Sequence, residues 1–437
     1  MKVLIVAPWE KILRFKESSY HPVDEKGDTI DLALNANNST LAEFNYFKEQ
    51  KNEVSLLIFL PSTLSYLLQD PPPDFPSLSE GIKSKVKEII NAEYEAYVLP
   101  GIGNYVNKTV IHEHKGGIGN YQFLFYLYLY RKMMEYSPNL VILDTSNVSD
   151  YEIPASMNAT RLAIDDYVSS TGKEIEYFHV SASPSYIDKG EIRIGLISKM
   201  TVKKSNIEDY LTNEIKLVKI LDPKEKGLNA VGKSDMYGIG KCLEYGFPLA
   251  LLYLLKETNM KNLVKPEDVE KTIIDSIKIS KSPDLYSLDQ GIEAHENAPY
   301  YFIGYHFIEN YKKLSEGEEF SLDAIGKISE NMGRMQRVII GREIERIKEL
   351  VSIAKEGEEF SLDYLIKLGN MKVIDWIKKP EIEEDTECEF EETKMISHAG
   401  FGRKFTVVHV KNGVYLSYKK ECLENVINSV KNLDKES

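Results

Sequence analysis

Four short apolar runs, separated by stretches of helical character, dominate the first 150 residues of the chain. The runs are KVLIVAP, EVSLLIFLPS, YEAYVLPGIGNY and NLVILDTSNVSD, and YQFLFYLYLYRKMMEYS lies between the last two. Short β-branched runs that stop at Pro or Gly are typical of buried parallel strands. Their alternation with helices predicts an α/β, Rossmann-like, doubly wound sheet in the N-terminal part of the chain.

The loops that follow these strands carry small and polar residues. In doubly wound sheets, ligands bind beyond the carboxyl ends of the strands, so we expect the loops to converge on one ligand site. The candidate ligand-binding residues are Pro8, Trp9, Gly101, Ile102, Gly103, Asn104, Lys115, Asp144, Thr145, Ser146 and Asn147. Neither PGIGNY nor GGIGNY is a dinucleotide fingerprint, and tight turns are the alternative explanation for both glycine loops. For Lys115 the alternative is a solvated loop.

Composition narrows the class of protein. The 437 residues are 43% hydrophobic and 28% charged, as in globular proteins, and carry a net charge of −14. A strongly acidic chain does not coat DNA or RNA through a broad basic face. No apolar run approaches the roughly 20 residues of a membrane span, and the first run stops at Pro8 without a signal-peptide pattern. We therefore expect a cytoplasmic protein with neither DNA nor a membrane as a partner.

The three cysteines, Cys242, Cys388 and Cys422, lie far apart in the sequence and form no CxxC motif. This spacing argues against a disulfide framework and against a zinc site. The expectation is three inert thiols and no bound metal.

The sequence predicts a Rossmann-like domain at 1–200, a charged connector at 201–235 and a mainly α-helical domain at 236–437. The octapeptide EGEEFSLD occurs twice in the last part, at 316–323 and 356–363. Ser321 and Ser361 would each cap a helix that follows, so we interpret the repeat as two helix starts of similar design.

Two histidines lie in the segment KMISHAGFGRKFTVVHV near the end of the chain. Alternation around Asn412-Gly413 predicts a β-hairpin at 404–418, which makes His409 a strand residue with a structural role. His398 precedes the small residues Ala399 and Gly400, which leave room beside an imidazole. An imidazole and a neighbouring cation suffice for RNA cleavage by the ribose 2′-OH without a metal or other cofactor.

The loop sequences LDTSNVSDYEIP, VLPGIGNY and APWE resemble the ligand loops of CARF domains. SHAGFGRKFTVVHVKNGVYLSYKKECLENVI resembles the C-terminal end of CRISPR-associated CARF/HEPN ribonucleases of the Csx/Csm type. This resemblance implies a homodimer, or a higher oligomer of it. It also implies a cyclic oligoadenylate, commonly cyclic tetra-adenylate, as allosteric activator, and single-stranded RNA as substrate of a type III CRISPR antiviral response.

His398 matches the catalytic histidine of that family, but Thr393-Lys394 stand where the family has an arginine about one helical turn earlier. The cation would then be Lys394, Arg403, or an arginine of another helix such as Arg334 or Arg337. Two alternative functions stay open. One is a catalytically weak ligand sensor that recruits a partner. The other is a ring nuclease that cleaves the cyclic ligand with Lys115 and Ser146.

Overall fold

The computed structural model describes residues 1–90, 92–107, 109–148, 151–183, 191–352, 356–369 and 388–434. The chain divides into two compact units. The first comprises Met1–Ser205, Lys216–Asn229 and Val264–Phe302, and the second comprises Asn206–Ile215, Ala230–Leu263 and Ile303–Ser437. These units differ from the boundaries proposed from the sequence, because 264–302 packs into the first unit although it follows the expected connector.

The strands of the first unit are β1 (Lys2–Pro8), β2 (Ser18–His21), β3 (Leu34–Ala36), β4 (Glu53–Pro61), β5 (Glu95–Leu99), β6 (Gly103–Asn107), β7 (Val110–Lys115), β8 (Leu140–Asp144), β9 (Ile175–Ala182), β10 (Ile192–Val202), β11 (Val218–Ile220), β12 (Ile277–Lys281), β13 (Leu285–Gln290) and β14 (Ile292–Ala294). Those of the second unit are β15 (Phe320–Ser321), β16 (Glu359–Ser361), β17 (Thr406–Lys411) and β18 (Gly413–Tyr418).

The helices in chain order are α1 (Ser39–Glu49), α2 (Phe75–Ile89), α3 (Gly119–Tyr136), α4 (Glu152–Thr171), α5 (Ile207–Leu211), α6 (Lys233–Tyr245), α7 (Pro248–Glu257), α8 (Pro266–Asp275), α9 (Ala298–Tyr311), α10 (Leu322–Ser329), α11 (Arg334–Val351), α12 (Leu362–Gly369), α13 (Glu392–Ser397) and α14 (Lys420–Asn432). The starts of α1 and α2 follow from the sequence. Asn38 accepts a hydrogen bond from the Leu41 amide, and Asp74 accepts one from the Ser77 amide.

The main sheet of the first unit has the strand order β3-β2-β10-β9-β8-β1-β4-β5. The four apolar runs form β1, β4, β5 and β8, which pair in parallel, and this confirms the predicted Rossmann-like sheet. β1 is central and almost wholly buried, as its uninterrupted apolar sequence requires. The carboxyl ends of β1, β4, β5 and β8 therefore lie at one edge of the sheet.

A second sheet of the first unit has the order β12-β13-β7-β6. β6 and β7 follow β5 directly, whereas β13 pairs in parallel with β7 from about 170 residues further along the chain, through registers such as Leu288 with His114. This pairing is why 264–302 belongs to the first unit. Local sequence patterns predict strands but not which distant strand completes a sheet.

The second unit is mainly helical, as predicted, and contains a four-stranded antiparallel sheet of order β15-β18-β17-β16. β17 and β18 form the predicted hairpin, with Lys411 paired to Gly413 across Asn412. Each EGEEFSLD copy adds one short outer strand to this hairpin, β15 against β18 and β16 against β17. Ser321 and Ser361 then accept hydrogen bonds from the amides three residues later, which confirms both predicted helix caps.

Candidate functional site

The loops after β1 and β8 are joined by backbone hydrogen bonds. The amides of Glu10 and Lys11 donate to the carbonyl oxygen of Asn147, at 2.9 and 3.1 Å. The Trp9 side chain is fully buried, and its Nε1 donates to Thr40 Oγ1 at 3.1 Å. Pro8 is also buried. The predicted ligand residues Pro8 and Trp9 thus fix the path of this loop, and their side chains contact the protein.

Asp144 is a buried carboxylate surrounded by hydroxyl and amide donors. Its Oδ2 accepts from Ser39 Oγ at 2.6 Å and Thr40 Oγ1 at 2.7 Å, while Oδ1 accepts from the Ser146 amide at 2.9 Å and from the Ser146 hydroxyl. A carboxylate without a cation tolerates burial only when such donors replace water. Asp144 therefore shapes the loop that carries Ser146 and Asn147, both of which are partly exposed.

The third loop reaches the same edge of the sheet. The Tyr105 hydroxyl donates to the Glu10 carboxylate, and the Tyr151 hydroxyl donates to the Ile102 carbonyl at 3.1 Å. Gly103 and Asn104 are exposed, whereas Gly101 is buried and its amide donates to Ser62 Oγ at 3.0 Å. The three predicted loops therefore converge at one edge of the sheet. Their solvent-accessible predicted residues are Ile102, Gly103, Asn104, Ser146 and Asn147.

Two further predicted ligand residues, Thr145 and Lys115, differ from the accessible residues of the three loops. Thr145 is buried, with Oγ1 at 2.9 Å from His179 Nε2. Lys115 is exposed at the end of β7 and forms an ion pair with Glu113 at 2.7 Å, which raises the pKa of the lysine. Within the described part of the chain, no contact joins Lys115 to Ser146, the two residues suggested for ring-nuclease activity.

A chain of buried hydrogen bonds runs behind the third loop and was not expected from the sequence. Ser62 Oγ lies 3.1 Å from His114 Nδ1, and Ser65 Oγ lies 3.1 Å from His114 Nε2 and 2.9 Å from His112 Nδ1. One direction of donation satisfies every link: Gly101 N–H to Ser62, Ser62 to His114, His114 to Ser65, and Ser65 to His112. Both imidazoles are then neutral. Burial lowers the pKa of His112, and it lowers the pKa of His114 to about 3.

In the second unit, His398 caps the C-terminus of α13, and its side chain is 23% exposed. The chain then turns sharply through positive φ at Ala399 (54°) and Gly400 (77°). A Cβ at position 400 would lie 3.0 Å from the Phe247 side chain, so this turn requires glycine. The small residues after His398 therefore create the turn that brings Arg403 back toward the imidazole.

The His398 ring lies between a carboxylate and a guanidinium. Its Nδ1 is 3.3 Å from Glu343 Oε1, and its Nε2 is 3.2 Å from Arg403 Nη2. A guanidinium only donates, so Nε2 is the acceptor and Nδ1 carries the proton toward Glu343. This arrangement fixes one neutral tautomer, with the lone pair of Nε2 beside a positive charge.

Glu343 and Arg342 come from α11, and nothing in the local sequence marks either of them. The Glu343 side chain is only 6% exposed. Arg342 Nη2 donates to the Ser397 carbonyl at 3.1 Å and to Glu343 Oε1 at 3.2 Å. Arg342 therefore contacts the backbone next to His398 and the Glu343 carboxylate. The described contacts include none from Arg342, or from the suggested Arg334 and Arg337 at the start of α11, to the His398 ring.

His398 opens into a cleft of about 300 Å³ that Lys394, Arg403, Lys404, Asp363, Glu389, Glu391, Met395, Gly402 and Phe405 also line. Lys394 is 72% exposed and pairs with Glu391 at 2.5 Å. Of the cations suggested from the sequence, the structure brings Arg403 into contact with the imidazole and leaves Lys394 on the cleft wall.

Comparison with protein-family models assigns a domain family to the N-terminal region and to the region around His398. The CARF domain model of the CRISPR system endoribonuclease Csx1 matches residues 4–184, and the HEPN domain model of the same endoribonuclease matches residues 333–421. The chain belongs to the CRISPR-associated CARF/HEPN ribonucleases. No curated protein matches the sequence.

The CARF match covers all three converging loops, and the HEPN match covers Glu343, His398 and Arg403. The two domains indicate a CRISPR-associated ribonuclease regulated by ligand binding, and the HEPN domain implies endoribonuclease activity. Within the described ranges, no group of three or more His, Cys, Asp or Glu side chains is arranged to hold a metal ion. In the same ranges, no helix is long and apolar enough to cross a membrane.

The expectation of three free thiols is wrong for two of the cysteines. Cys388 and Cys422 form a disulfide that joins the segment before α13 to α14, and Cys242 is a buried free thiol. The sequence did not predict this disulfide because the two cysteines are 34 residues apart. Only the fold of the HEPN domain places α14 beside the segment that precedes α13.

Proposed function

We propose that this CARF/HEPN protein is a cyclic oligoadenylate-activated, metal-independent endonuclease that cleaves single-stranded RNA. The observation that carries the proposal is the contact between Arg403 and His398 in the cleft, with Glu343 behind the ring. We further propose that it is a cytoplasmic homodimer whose partners are the cyclic ligand and RNA.

In the proposed reaction, His398 Nε2 accepts the proton of a ribose 2′-OH, and the 2′-oxygen attacks the adjacent phosphorus. The bond from phosphorus to the 5′-oxygen breaks, which leaves a 2′,3′-cyclic phosphate, and the departing 5′-oxygen takes the proton from the imidazolium. Glu343 acts as a positioning residue, because it keeps the proton on Nδ1 and stabilises the imidazolium that forms. The Arg403 guanidinium faces the negative charge that develops on the phosphate, where a planar fork can form two hydrogen bonds. Lys394 contributes a more distant charge that attracts RNA to the cleft.

The proposed activator is cyclic tetra-adenylate, bound at the converging loops of the CARF domain. Asn104, Ser146 and Asn147 would offer amide and hydroxyl groups to ribose or phosphate, while Trp9 and Asp144 would hold the loops in place. A ligand that favours the active arrangement of the HEPN domains by ~1–3 kcal/mol would raise cleavage roughly 5- to 150-fold.

The test is cleavage of a labelled single-stranded RNA in excess chelator, with and without cyclic tetra-adenylate. We expect ligand-dependent cleavage that is lost in His398→Ala. Cleavage without any dependence on the ligand and on His398 would refute the proposal. Ligand binding by calorimetry without RNA cleavage would instead favour a sensor that recruits a partner, in keeping with the Thr393-Lys394 departure.

A further inference from the structure

A second histidine of the HEPN domain lies in a different chemical setting, on the sheet that contains the hairpin. His409 Nε2 is 2.8 Å from Ser417 Oγ. On the opposite side of the ring, Nδ1 faces Glu319 Oε1 at 3.6 Å and Glu359 Oε2 at 3.5 Å. A hydroxyl thus lies at one ring nitrogen of His409, and two carboxylates lie near the other.

The strand register explains this cluster. Val407 pairs with Ser417, and His409 pairs both with Tyr415 on β18 and with Glu359 on β16. Directly paired residues point to the same face of a sheet, and residues two apart on one strand do so too. His409, Ser417 and Glu359 are therefore diagonal or direct neighbours on one face of the hairpin sheet.

The EGEEFSLD repeat supplies both carboxylates. Glu319 and Glu359 occupy the same position in the two copies, and the copies add strands to opposite edges of the hairpin. One helix cap and one edge strand per copy account for the rest of the motif. The side chains of the duplicated glutamates, Glu319 and Glu359, both face Nδ1 of His409.

The protonation pattern follows from the neighbours of the ring. Nδ1 faces two carboxylates and is the favoured site for the proton, which leaves Nε2 to accept the hydrogen of the Ser417 hydroxyl. The other oxygen of Glu319 accepts from Lys411 Nζ at 2.6 Å, which fixes that carboxylate beside the ring. A hydroxyl, a base and an orienting acid in this order define an activated serine.

Ser417 and His409 line a cavity of about 850 Å³, within the range of small-molecule sites. Tyr253, Phe360, Val407 and Leu423 give it apolar walls. Lys420 and Glu421 also line it, and they lie at the start of α14. None of the residues that line the His398 cleft lines this cavity.

The charge of the lining argues against an RNA site. Three lysines, Lys256, Lys419 and Lys420, are opposed by four glutamates, Glu318, Glu319, Glu359 and Glu421. A polyanion would be repelled by the carboxylates next to His409, whereas an uncharged or cationic molecule would not.

We propose that Ser417, His409 and the Glu319/Glu359 pair form a second hydrolytic centre, for an uncharged or cationic carboxylic ester. Ser417 Oγ bonds to the carbonyl carbon and passes its proton to His409 Nε2. The tetrahedral intermediate expels an alcohol, which takes that proton and leaves an acyl group on Ser417. Water then adds to the acyl carbon, gives a proton to His409, and releases the carboxylic acid as Ser417 is reprotonated.

The direct test is reaction of the full-length protein with a fluorophosphonate probe, followed by peptide mapping. We expect one adduct on Ser417, formed as its oxygen displaces fluoride, and no adduct in Ser417→Ala. Ser429→Ala, which alters a partly exposed serine of α14, is the matched control and should label as the wild type does. Wild-type protein without an adduct on Ser417, or labelled equally at other serines, would overturn the proposal.

A second test uses p-nitrophenyl acetate as a neutral ester, with no RNA or cyclic nucleotide present. Ser417→Ala should reduce hydrolysis to the rate in buffer, and His409→Gln should lower it roughly 10²- to 10⁴-fold. Because either carboxylate can orient the ring, Glu319→Gln and Glu359→Gln should each have less effect than the double variant, whose loss should exceed the product of the two. Unchanged hydrolysis in Ser417→Ala, with the fold verified by circular dichroism, would contradict the assignment.

Discussion

The Nη2 atom of Arg403 lies 3.2 Å from the Nε2 atom of His398. The lone pair that should accept a ribose proton is therefore hydrogen bonded to the guanidinium. A phosphate that enters the cleft would compete for Arg403 and free Nε2. In the proposed mechanism, substrate binding thus prepares the base at the same step at which it positions the cation.

The first prediction separates the two candidate cations. Arg403→Ala should lower kcat for RNA cleavage roughly 10²- to 10³-fold, as expected when one donor to a developing anion is removed. Arg403→Lys should recover part of the loss, because an ammonium supplies charge without the planar fork. Lys394→Ala should mainly raise KM. Single-turnover cleavage measures each effect, and a larger loss of kcat in Lys394→Ala than in Arg403→Ala would contradict the assignment.

The second prediction concerns the carboxylate behind His398. Glu343→Gln keeps the size of the side chain but removes the charge, and should cost part of the roughly 10²- to 10⁴-fold contribution of a general base. The loss should fall on kcat with KM nearly unchanged, and Glu343→Asp should restore part of it. Glu345→Gln, an exposed change two residues away on α11, is the control. A loss confined to KM would speak against positioning by Glu343.

The third prediction concerns the disulfide between Cys388 and Cys422. The closed loop contains α13, His398, Arg403 and the hairpin, with a sequence separation of 34 residues. Chain-entropy arguments give about 3–4 kcal/mol of stabilisation for a loop of this length. Cys422→Ser should lower the thermal unfolding temperature of the HEPN unit, and reductant should do so only in the wild type. Equal effects of reductant on both proteins would show that the bond does not contribute.

The fourth prediction concerns the buried histidine chain of the CARF domain. Burial lowers the pKa of His114 to about 3, whereas an unfolded histidine titrates near 6.5. The unfolded state therefore binds an additional proton between these values, and stability falls as the pH drops through that window. The loss is about 1.4 kcal/mol per pH unit well below pH 6.5.

His114→Gln should remove this dependence, since glutamine does not titrate. Hydrogen exchange of β7, corrected for intrinsic rates, would report it at pH 7 and pH 5. Ser62→Ala serves as a control that breaks one hydrogen bond of the chain while keeping the imidazole. An equal loss of protection at pH 5 in the wild type and in His114→Gln would contradict the prediction.

The elements that the sequence predicts well are those whose signals are local. The run KVLIVAP has to be a buried strand because it offers no polar face, and Asn412-Gly413 specifies a tight hairpin wherever it occurs between alternating strands. His398 could be selected because the small residues beside it are adjacent in sequence. The same reasoning predicted that the three loops would meet, since parallel strands end at one edge.

Features that depend on distant pairing were missed. β13 completes a sheet with β7, although the two strands are far apart in the sequence. Glu343 contacts His398 across 55 residues of sequence, and Cys388 and Cys422 are neighbours only in the folded HEPN unit. The burial of Trp9 and Asp144 was also not foreseen. A polar residue at a strand end can face either a ligand or its own loop, and only the packing of neighbours such as Ser39 and Thr40 decides between them.

The measurement that tests the account most directly is the chemistry of the RNA ends produced in excess chelator with cyclic tetra-adenylate. Attack by the ribose 2′-OH predicts 2′,3′-cyclic phosphate ends from the wild type and no cleavage by His398→Ala. Products with free 3′-hydroxyl and 5′-phosphate ends, or equal cleavage by His398→Ala, would contradict it.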